Sequence, residues 1–197
     1  TGPWPSAVPF KSVDNVRASL STFRVDTPTG AWRAPYSNTH AFVSQGFIHE
    51  LATAANRDHL EFLLEMMGDP RWLTPGQINA LNTERAIGVL KKVARESRLQ
   101  SMPARNMRGL GLAFYFCHAA HVAEVADVTV TKANEIVVNK VTAAVDVGPI
   151  INKSGALNQV EGSIMDGLST MVGQKITMEN GRIEQTNLDQ YPVLRIN

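Results

Sequence analysis

An arginine in a turn-forming stretch is the first residue of this chain whose type and position suggest chemistry. In "GAWRAPYSNTHAFVSQGFIHELATAA", residues 30–55, the chain opens on a tight glycine, exposes Trp32 and Arg33, passes a proline turn and enters a helical pattern. A guanidinium carries a permanent charge and five N–H donors, so an arginine just before a helix suits the binding of an anionic or polar ligand. We call residues 30–36 the Arg33 loop and take it as the first candidate site.

A glutamine on a predicted helix is the second candidate. The segment "GALNQVEGSIMDGLS" belongs to a helix predicted over residues 154–172. The amide of Gln159 can donate and accept hydrogen bonds at once, and the small Gly162 on the same face would let a flat ligand or another backbone approach. Helix packing alone also explains this glycine, so both interpretations stay open. The apolar positions that we expect to face inward are Leu157, Val160, Ile164, Leu168 and Met171.

Cysteine, histidine and acidic residues give weaker signals. Cys117, His118 and His121 are close in sequence, but neighbouring side chains of a strand point to opposite faces, so we expect no metal site there. Asp146 precedes a Gly-Pro pair, and it either ends a strand by bonding backbone amides or holds a loop near a ligand. The sequence contains no P-loop, dinucleotide-binding fingerprint, hydrolase elbow or zinc-protease motif.

The composition indicates a globular protein. Hydrophobic residues make up 44% and charged residues 19% of the chain, which excludes a disordered protein. A net charge of +1 provides no field for non-specific binding to nucleic acid or membrane. No apolar run reaches the ~18–20 residues that span a bilayer. Basic residues crowd the end of one predicted helix, where they complement its dipole; a nucleic-acid patch is the alternative, but no aromatic residues are interleaved. They are Lys91, Lys92, Arg95 and Arg98.

Three helices are predicted in the first half of the chain. The first is capped by Asn38 or Thr39, and the second is short and ends at Gly68. The third begins at a capping box, residues 74–77, and ends near Arg98. The first helix is expected to bury Val43, Phe47, Leu51 and Ala54. The third is expected to bury Ile78, Leu81, Ala86, Val89, Leu90 and Val93.

Strands dominate the second half of the predicted fold. An isolated strand is expected within residues 15–28, and β-rich runs occupy 109–118, 121–132 and 135–148. The last two runs are joined by a turn at Ala133 and Asn134, and we expect the strands to be covered on both sides. A strand near 175–178 and a hairpin at Asn180 and Gly181 complete the pattern. The fold class is α+β, with mixed, mainly antiparallel sheets, packed helices and possible lobes of about 1–105 and 106–197.

With these stretches in view, the chain resembles part of the large, molybdopterin-binding subunit of the molybdenum hydroxylases. This family includes xanthine dehydrogenase and aldehyde oxidoreductase, and the most similar branch is that of the isoquinoline 1-oxidoreductase β-subunits. Four segments carry the resemblance in the family's order and cover nearly the whole chain. They are "GAWRAPYSNTHAFVSQGFIHELA", "GLGLAFYFCHAAHVAEVADVTV", "VDVGPIINKSGALNQVEGSIMDGLS" and "GRIEQTNLDQYPVLRIN".

The resemblance implies oxidative hydroxylation of an N-heteroaromatic or aldehyde substrate, with oxygen derived from water. It implies a molybdopterin-type molybdenum cofactor and contacts to that cofactor at Trp32, Arg33, Ala34 and Gln159. Electrons would leave through a small [2Fe-2S] subunit, so the expected partners are this subunit, the rest of the large subunit and a small-molecule substrate. No nucleic-acid partner and no membrane span are expected.

The chain departs from the family pattern at three positions and in its extent. Tyr36 stands where relatives have a glycine, Val147 where a cysteine is common, and Lys153 where a proline usually follows Asn152. The family's catalytic glutamate lies beyond the last matching segment, so we expect a fragment that is inactive alone and holds no catalytic residue. Any leader would be missing, which leaves a cytoplasmic or periplasmic location open. The alternative is a non-catalytic structural or interaction module of a multi-subunit complex, which would expose a large apolar patch.

Overall fold

Three helices and a three-stranded antiparallel sheet form the first part of the chain. The computed structural model describes residues 13–17, 19, 21–24, 26–77, 79–101 and 107–194. The helices are α1 (Ser37–Ala54), α2 (His59–Met67) and α3 (Thr83–Ser97). The strands are β1 (Arg108–Cys117), β2 (Ala120–Val130) and β3 (Ile136–Asp146), in the spatial order β1-β2-β3. Helix α4 (Lys153–Val172) and a hairpin of β4 (Met178–Glu179) and β5 (Arg182–Ile183) follow. The predicted α+β class is confirmed.

The chain divides into two compact units, Thr1–Gly148 and Pro149–Asn197. This division differs from the lobes of about 1–105 and 106–197 suggested by the sequence. The reason is that α3 packs against β2 and β3, so the helices and the sheet share one core. Among the described residues, no helix combines the length and the apolar character that crossing a membrane requires.

The sheet buries one face under α3. Alternate residues of β2 are buried, including Ala123 and Val125, whereas those between them are half-buried. The expectation that the strands are covered on both sides is therefore only partly correct, because one face of β2 is buried and the other is half-buried. Phe114 of β1 lies in the same core as Leu63 of α2 and Leu90 of α3. The predicted turn between β2 and β3 is confirmed, with Asn134 at φ 61°.

Helix α3 is buried along the predicted stripe but begins later than predicted. The helical residues predicted to face inward are all buried: Ala86, Val89, Leu90 and Val93. Leu81 is buried too, just before the helix. The expected start at the 74–77 capping box is wrong, because Gly76 adopts φ 81° and breaks the helical path. Asn82 caps the helix instead by accepting a hydrogen bond from the Arg85 N–H at 3.1 Å. Ile78 lies outside the described residues.

Helix α1 differs from its prediction in both cap and face. It begins at Ser37, with Tyr36 as the N-cap and no side-chain cap bond, so capping by Asn38 or Thr39 is wrong. The expected inward face is also wrong: Val43 is 60% and Phe47 55% exposed. Leu51 and Ala54 are exposed too. The buried residues are Gln45, Ile48 and Ala52.

The predicted N-terminal strand is absent from the described part of residues 15–28. Phe23, one of its expected apolar residues, is exposed. Ala18, Leu20 and Val25 lie outside the described residues. The short helix α2 agrees with its prediction and ends at Gly68, which adopts φ 61°.

The second unit is built on α4. Asn152 caps this helix by accepting a hydrogen bond from the Gly155 N–H at 2.9 Å. Its apolar stripe is half-buried in the middle, and it is exposed at Leu157 and Met171. The predicted hairpin at Asn180 and Gly181 is confirmed, with φ of 50° and 77° at the two residues. The strand expected near 175–178 is shorter and begins at Met178.

Candidate cofactor-binding loop

Parts of the Arg33 loop and the first turn of α1 line an open cleft of about 470 Å³, and neither Arg33 nor Ala34 is among its lining residues. Among the described residues that line it, none is acidic, and the first turn of α1 carries no acidic side chain. The partial positive charge of the helix N-terminus therefore remains uncompensated by a local carboxylate. The lining residues are Thr29, Gly30, Ala31, Trp32, Pro35, Tyr36, Asn38, Thr39 and His40.

The backbone of the loop is held in an unusual conformation at two residues. Ala34 has φ 55°, and Tyr36 has φ 64° and ψ −34°, both in the region that favours glycine. The chain turns here into α1 through hydrogen bonds from the Ser37 N–H to the Ala34 carbonyl, 3.0 Å, and from the His40 N–H to the Tyr36 carbonyl, 2.8 Å. Gly30, expected to make a tight turn, has no positive φ, and a Cβ there would meet no atom within 4 Å.

The loop brings together three of the four residues predicted to contact a cofactor. Trp32 is 45% exposed and lines the cavity, and Arg33 and Ala34 follow it as exposed residues. The Arg33 carbonyl lies 3.5 Å from Asn38 Nδ2 in the first turn of α1. Gln159, the fourth, is exposed on α4 in the other unit. That it faces the same ligand as the loop stays a prediction.

Helix α1 fixes the end of the loop to the sheet. Gln45 is buried and accepts a hydrogen bond from the Phe114 N–H of β1 at 3.0 Å. This bond satisfies a backbone donor on the side of β1 that no strand covers among the described residues. Apolar periodicity could not reveal this contact, because a glutamine is normally interpreted as a solvent-facing residue. The buried amide explains why the inward face of α1 differs from the apolar stripe.

An arginine clamp holds the end of β3. Arg85 of α3 donates from Nε to Asp146 Oδ2 at 2.8 Å and from its terminal nitrogen to Oδ1 at 2.6 Å. The hydrogen bond from Arg85 lowers the pKa of Asp146 to about 2. Asp146 also accepts from the Gly148 N–H at 3.0 Å, which confirms the predicted bond to a backbone amide. A role near a ligand stays a prediction. Sequence reasoning missed Arg85 because its partner is distant in the chain.

The histidines lie in different surroundings. His121 is buried, and its Nε2 accepts the Asn82 N–H at 3.1 Å. Burial lowers the pKa of His121 to about 4, so the ring is neutral near neutral pH. His118 is exposed in the turn between β1 and β2. Within the described part of the chain, no group of three or more His, Cys, Asp and Glu side chains is arranged to hold a metal ion.

Comparison with known proteins identifies the chain's relatives. Residues 78–197, more than half of the chain, match the molybdopterin cofactor-binding domain family. A nicotinate dehydrogenase subunit of Pseudomonas putida is 24% identical over 96% of this chain and 16% of its own length. The beta subunit of isoquinoline 1-oxidoreductase of Brevundimonas diminuta is 30% identical over 79% of this chain and 19% of its own length. The chain thus spans less than a fifth of each of these relatives.

Proposed function

Because this chain belongs to the molybdopterin cofactor-binding domain family of the molybdenum hydroxylases, we propose that it binds the molybdenum cofactor as part of a larger oxidoreductase subunit. The proposed reaction converts a ring C–H and water into a C–OH, and releases two electrons and two protons. The names of both relatives refer to aromatic nitrogen heterocycles, nicotinate and isoquinoline. We therefore favour an N-heteroaromatic substrate over an aldehyde.

The observation that carries the proposal is the cavity at the Arg33 loop. Its described lining is free of carboxylates, it opens at the start of α1, and Trp32, the neighbour of Arg33, is one of the residues that line it. Phosphate and oxo groups of a molybdopterin are acceptors, and a guanidinium beside a helix N-terminus suits them. The acid-free described lining at the start of α1 fits an anionic group, and the proposal adds the Arg33 guanidinium to it. The molybdenum cofactor, when bound, supplies the two-electron redox chemistry.

Each proposed contact has a distinct task. Arg33 donates hydrogen bonds to the anionic part of the cofactor, and Trp32 provides a flat apolar wall with one N–H donor. Ala34 has no side chain beyond Cβ, so the backbone of the loop can lie close to a ligand. Gln159 donates and accepts through its amide. We propose that the catalytic glutamate belongs to another part of the large subunit, so no acid–base step is assigned to the described residues. A small [2Fe-2S] subunit is the proposed electron acceptor.

One observation favours a second candidate function, a non-catalytic interaction module. The outer face of α1 is apolar, with Phe42, Val43 and Phe47 more than half exposed. A patch of this kind is typical of a surface that another polypeptide covers. The two functions are compatible for this part of the protein, and they differ for the complete subunit.

Metal analysis of the full-length protein, co-expressed with its electron-transfer subunit, separates the two functions. The cofactor-binding proposal predicts molybdenum close to stoichiometric with the large subunit, and oxidation of an N-heteroaromatic compound faster than of an aldehyde. A correctly assembled complex without molybdenum would instead support the interaction module. Faster oxidation of the aldehyde would leave the cofactor proposal in place and overturn the substrate class.

A further inference from the structure

The three-stranded sheet has a second face, opposite α3, which we call the outer sheet face. Ala123 and Val125 lie in the core with α3, so Glu124 between them points to the other side. Glu124 is paired across the strands with Ala113 of β1 and Ala143 of β3, and directly paired residues share a face. The neighbouring pairs on this face carry no charge: Gly111, Ala126 and Val141 on one side of Glu124, and Tyr115, Val122 and Val145 on the other.

The outer sheet face has the composition of a covered surface, but the described residues leave it open. An antiparallel sheet with one solvated face normally alternates apolar and polar residues, whereas β2 carries mainly apolar residues on both faces. Gly111 and Ala113 are nevertheless exposed, and Glu124 is half-buried. The residue pattern therefore points to a covering partner that is not among the described residues.

Glu124 determines which charge this partner must carry. Among the described residues, none donates a hydrogen bond to its carboxylate or forms an ion pair with it, and burial raises its pKa. Covering the face would bury this carboxylate further, which is unfavourable unless a cation pairs with it. A second copy of the chain is a poor partner, because a two-fold interface centred on this face would bring two Glu124 carboxylates together.

We propose that the outer sheet face docks an apolar segment of the large subunit from outside residues 1–197, and that a lysine or arginine of this segment pairs with Glu124. The inference rests on the proposed function, in which this chain is one part of a larger subunit. In both relatives, more than four fifths of the subunit lies outside the matched region. Tyr115, on the same face, shares a hydrogen bond with Ser37, the residue that follows the Arg33 loop. One end of the docked segment would therefore lie close to the candidate cofactor site.

Photo-cross-linking in the full-length protein, purified with its electron-transfer subunit, identifies what covers the face. The photoreactive residue p-benzoylphenylalanine replaces Val138, which is paired with Val128 on the outer sheet face. At the exposed Lys91 of α3, the same residue gives the background. Mass spectrometry should locate the cross-link in the large subunit outside residues 1–197, in an apolar sequence that contains a lysine or arginine. A cross-link to residues 1–197, to a second copy or to the electron-transfer subunit would overturn the inference, as would no cross-link above background.

Charge variants test the pairing with Glu124. Glu124→Lys brings two cations together, so the yield of the Val138 cross-link should fall at least about ten-fold, and Glu124→Gln should lower it about three-fold. Glu84→Lys makes the same change of charge at an exposed position of α3 and should alter the yield less than about two-fold. Equal yields for Glu124→Lys and Glu84→Lys would contradict the pairing. If Glu124→Lys does not fold, an unchanged yield for Glu124→Gln contradicts it instead.

Molybdenum measured in the same preparations separates this inference from the proposed function. A protein that contains molybdenum but gives no cross-link from Val138 overturns the docking inference and leaves cofactor binding in place. A protein that gives the expected cross-link but contains no molybdenum overturns cofactor binding and supports the docking.

Discussion

Replacing Tyr36 by glycine should stabilise the protein, although it removes a large side chain. Tyr36 adopts φ 64° and ψ −34°, and its side chain is 67% exposed, with a ring centroid 6.5 Å from that of His40. A non-glycine residue in a sparsely populated backbone region costs about 1–3 kcal/mol. Glycine removes this strain, but its greater freedom in the unfolded chain costs roughly 0.5–1 kcal/mol. The exposed ring contributes little burial, so the net gain is about 1 kcal/mol.

Thermal unfolding followed by circular dichroism measures this gain. For a protein of this size, about 1 kcal/mol corresponds to an increase in Tm of roughly 2–4 °C. Tyr36→Ala is the matched control, since it removes the ring and retains the Cβ that causes the strain. It should not raise Tm. A fall in Tm for Tyr36→Gly, or an equal rise for both variants, would refute the argument from backbone strain.

Two further predictions concern the ion pair of Arg85 with Asp146 and the protonation of His59 and His121. Arg85→Lys should lower the free energy of unfolding by about 1–2 kcal/mol, because a lysine cannot form the two parallel bonds to Asp146. Arg95→Lys, at an exposed position, is the control and should change this free energy by less than about 0.5 kcal/mol. Equal effects of the two variants in urea unfolding would contradict the clamp. Burial lowers the pKa values of His59 and His121 from 6.5 to about 4, so between these pH values the unfolded chain binds more protons than the folded protein. The contribution of these histidines to the free energy of unfolding should therefore be fully present above about pH 6.5 and decrease as the pH drops toward about 4. His121→Gln should flatten that decline in urea unfolding measured at several pH values, and an unchanged slope would exclude His121 as its source.

The β-rich runs and turn chemistry were enough to predict the strands of the three-stranded sheet and two turns at asparagine, one between β2 and β3 and one in the β4–β5 hairpin. Runs rich in β-forming residues identified β1, β2 and β3, and Asn134 and Asn180 occupy positions with positive φ as their residue type suggests. The inward stripe of α3 also followed from spacing, because the buried residues of this helix after Thr83 are all apolar. The strands, the asparagine turns and the inward stripe of α3 depend on residues that are close to one another in sequence, so local sequence patterns are enough to predict them.

The features that could not be predicted depend on partners distant in sequence. Gln45 turns inward because Phe114 offers an unpaired backbone donor 69 residues away, and Arg85 meets Asp146 across 61 residues. Local pattern gives no indication of either contact. The start of α3 was misplaced for a different reason, since a capping-box pattern does not reveal that Gly76 will adopt φ 81°.

The candidate site was predicted in part. The loop position of Trp32, Arg33 and Ala34 before α1 followed from the sequence. Tyr36 has the positive φ that favours glycine, the residue that the resemblance leads us to expect at this position. The hydrogen bond between Cys117 and His118 was missed, because these residues were treated as neighbours within one strand. A two-residue turn at His118 and Ala119 instead directs the imidazole back to the thiol.

The molybdenum content of full-length Arg33→Ala tests the central claim most directly. Lys91→Ala, which removes a positive charge from an exposed position of α3, is the control. Both proteins are purified with the electron-transfer subunit, and bound molybdenum and pterin are measured per folded large subunit. Loss of contacts around a metal site costs roughly 10–100-fold in affinity, so Arg33→Ala should lose most of its cofactor on dialysis while Lys91→Ala retains it. Equal retention of molybdenum and pterin by the two variants would contradict cofactor binding by the Arg33 loop.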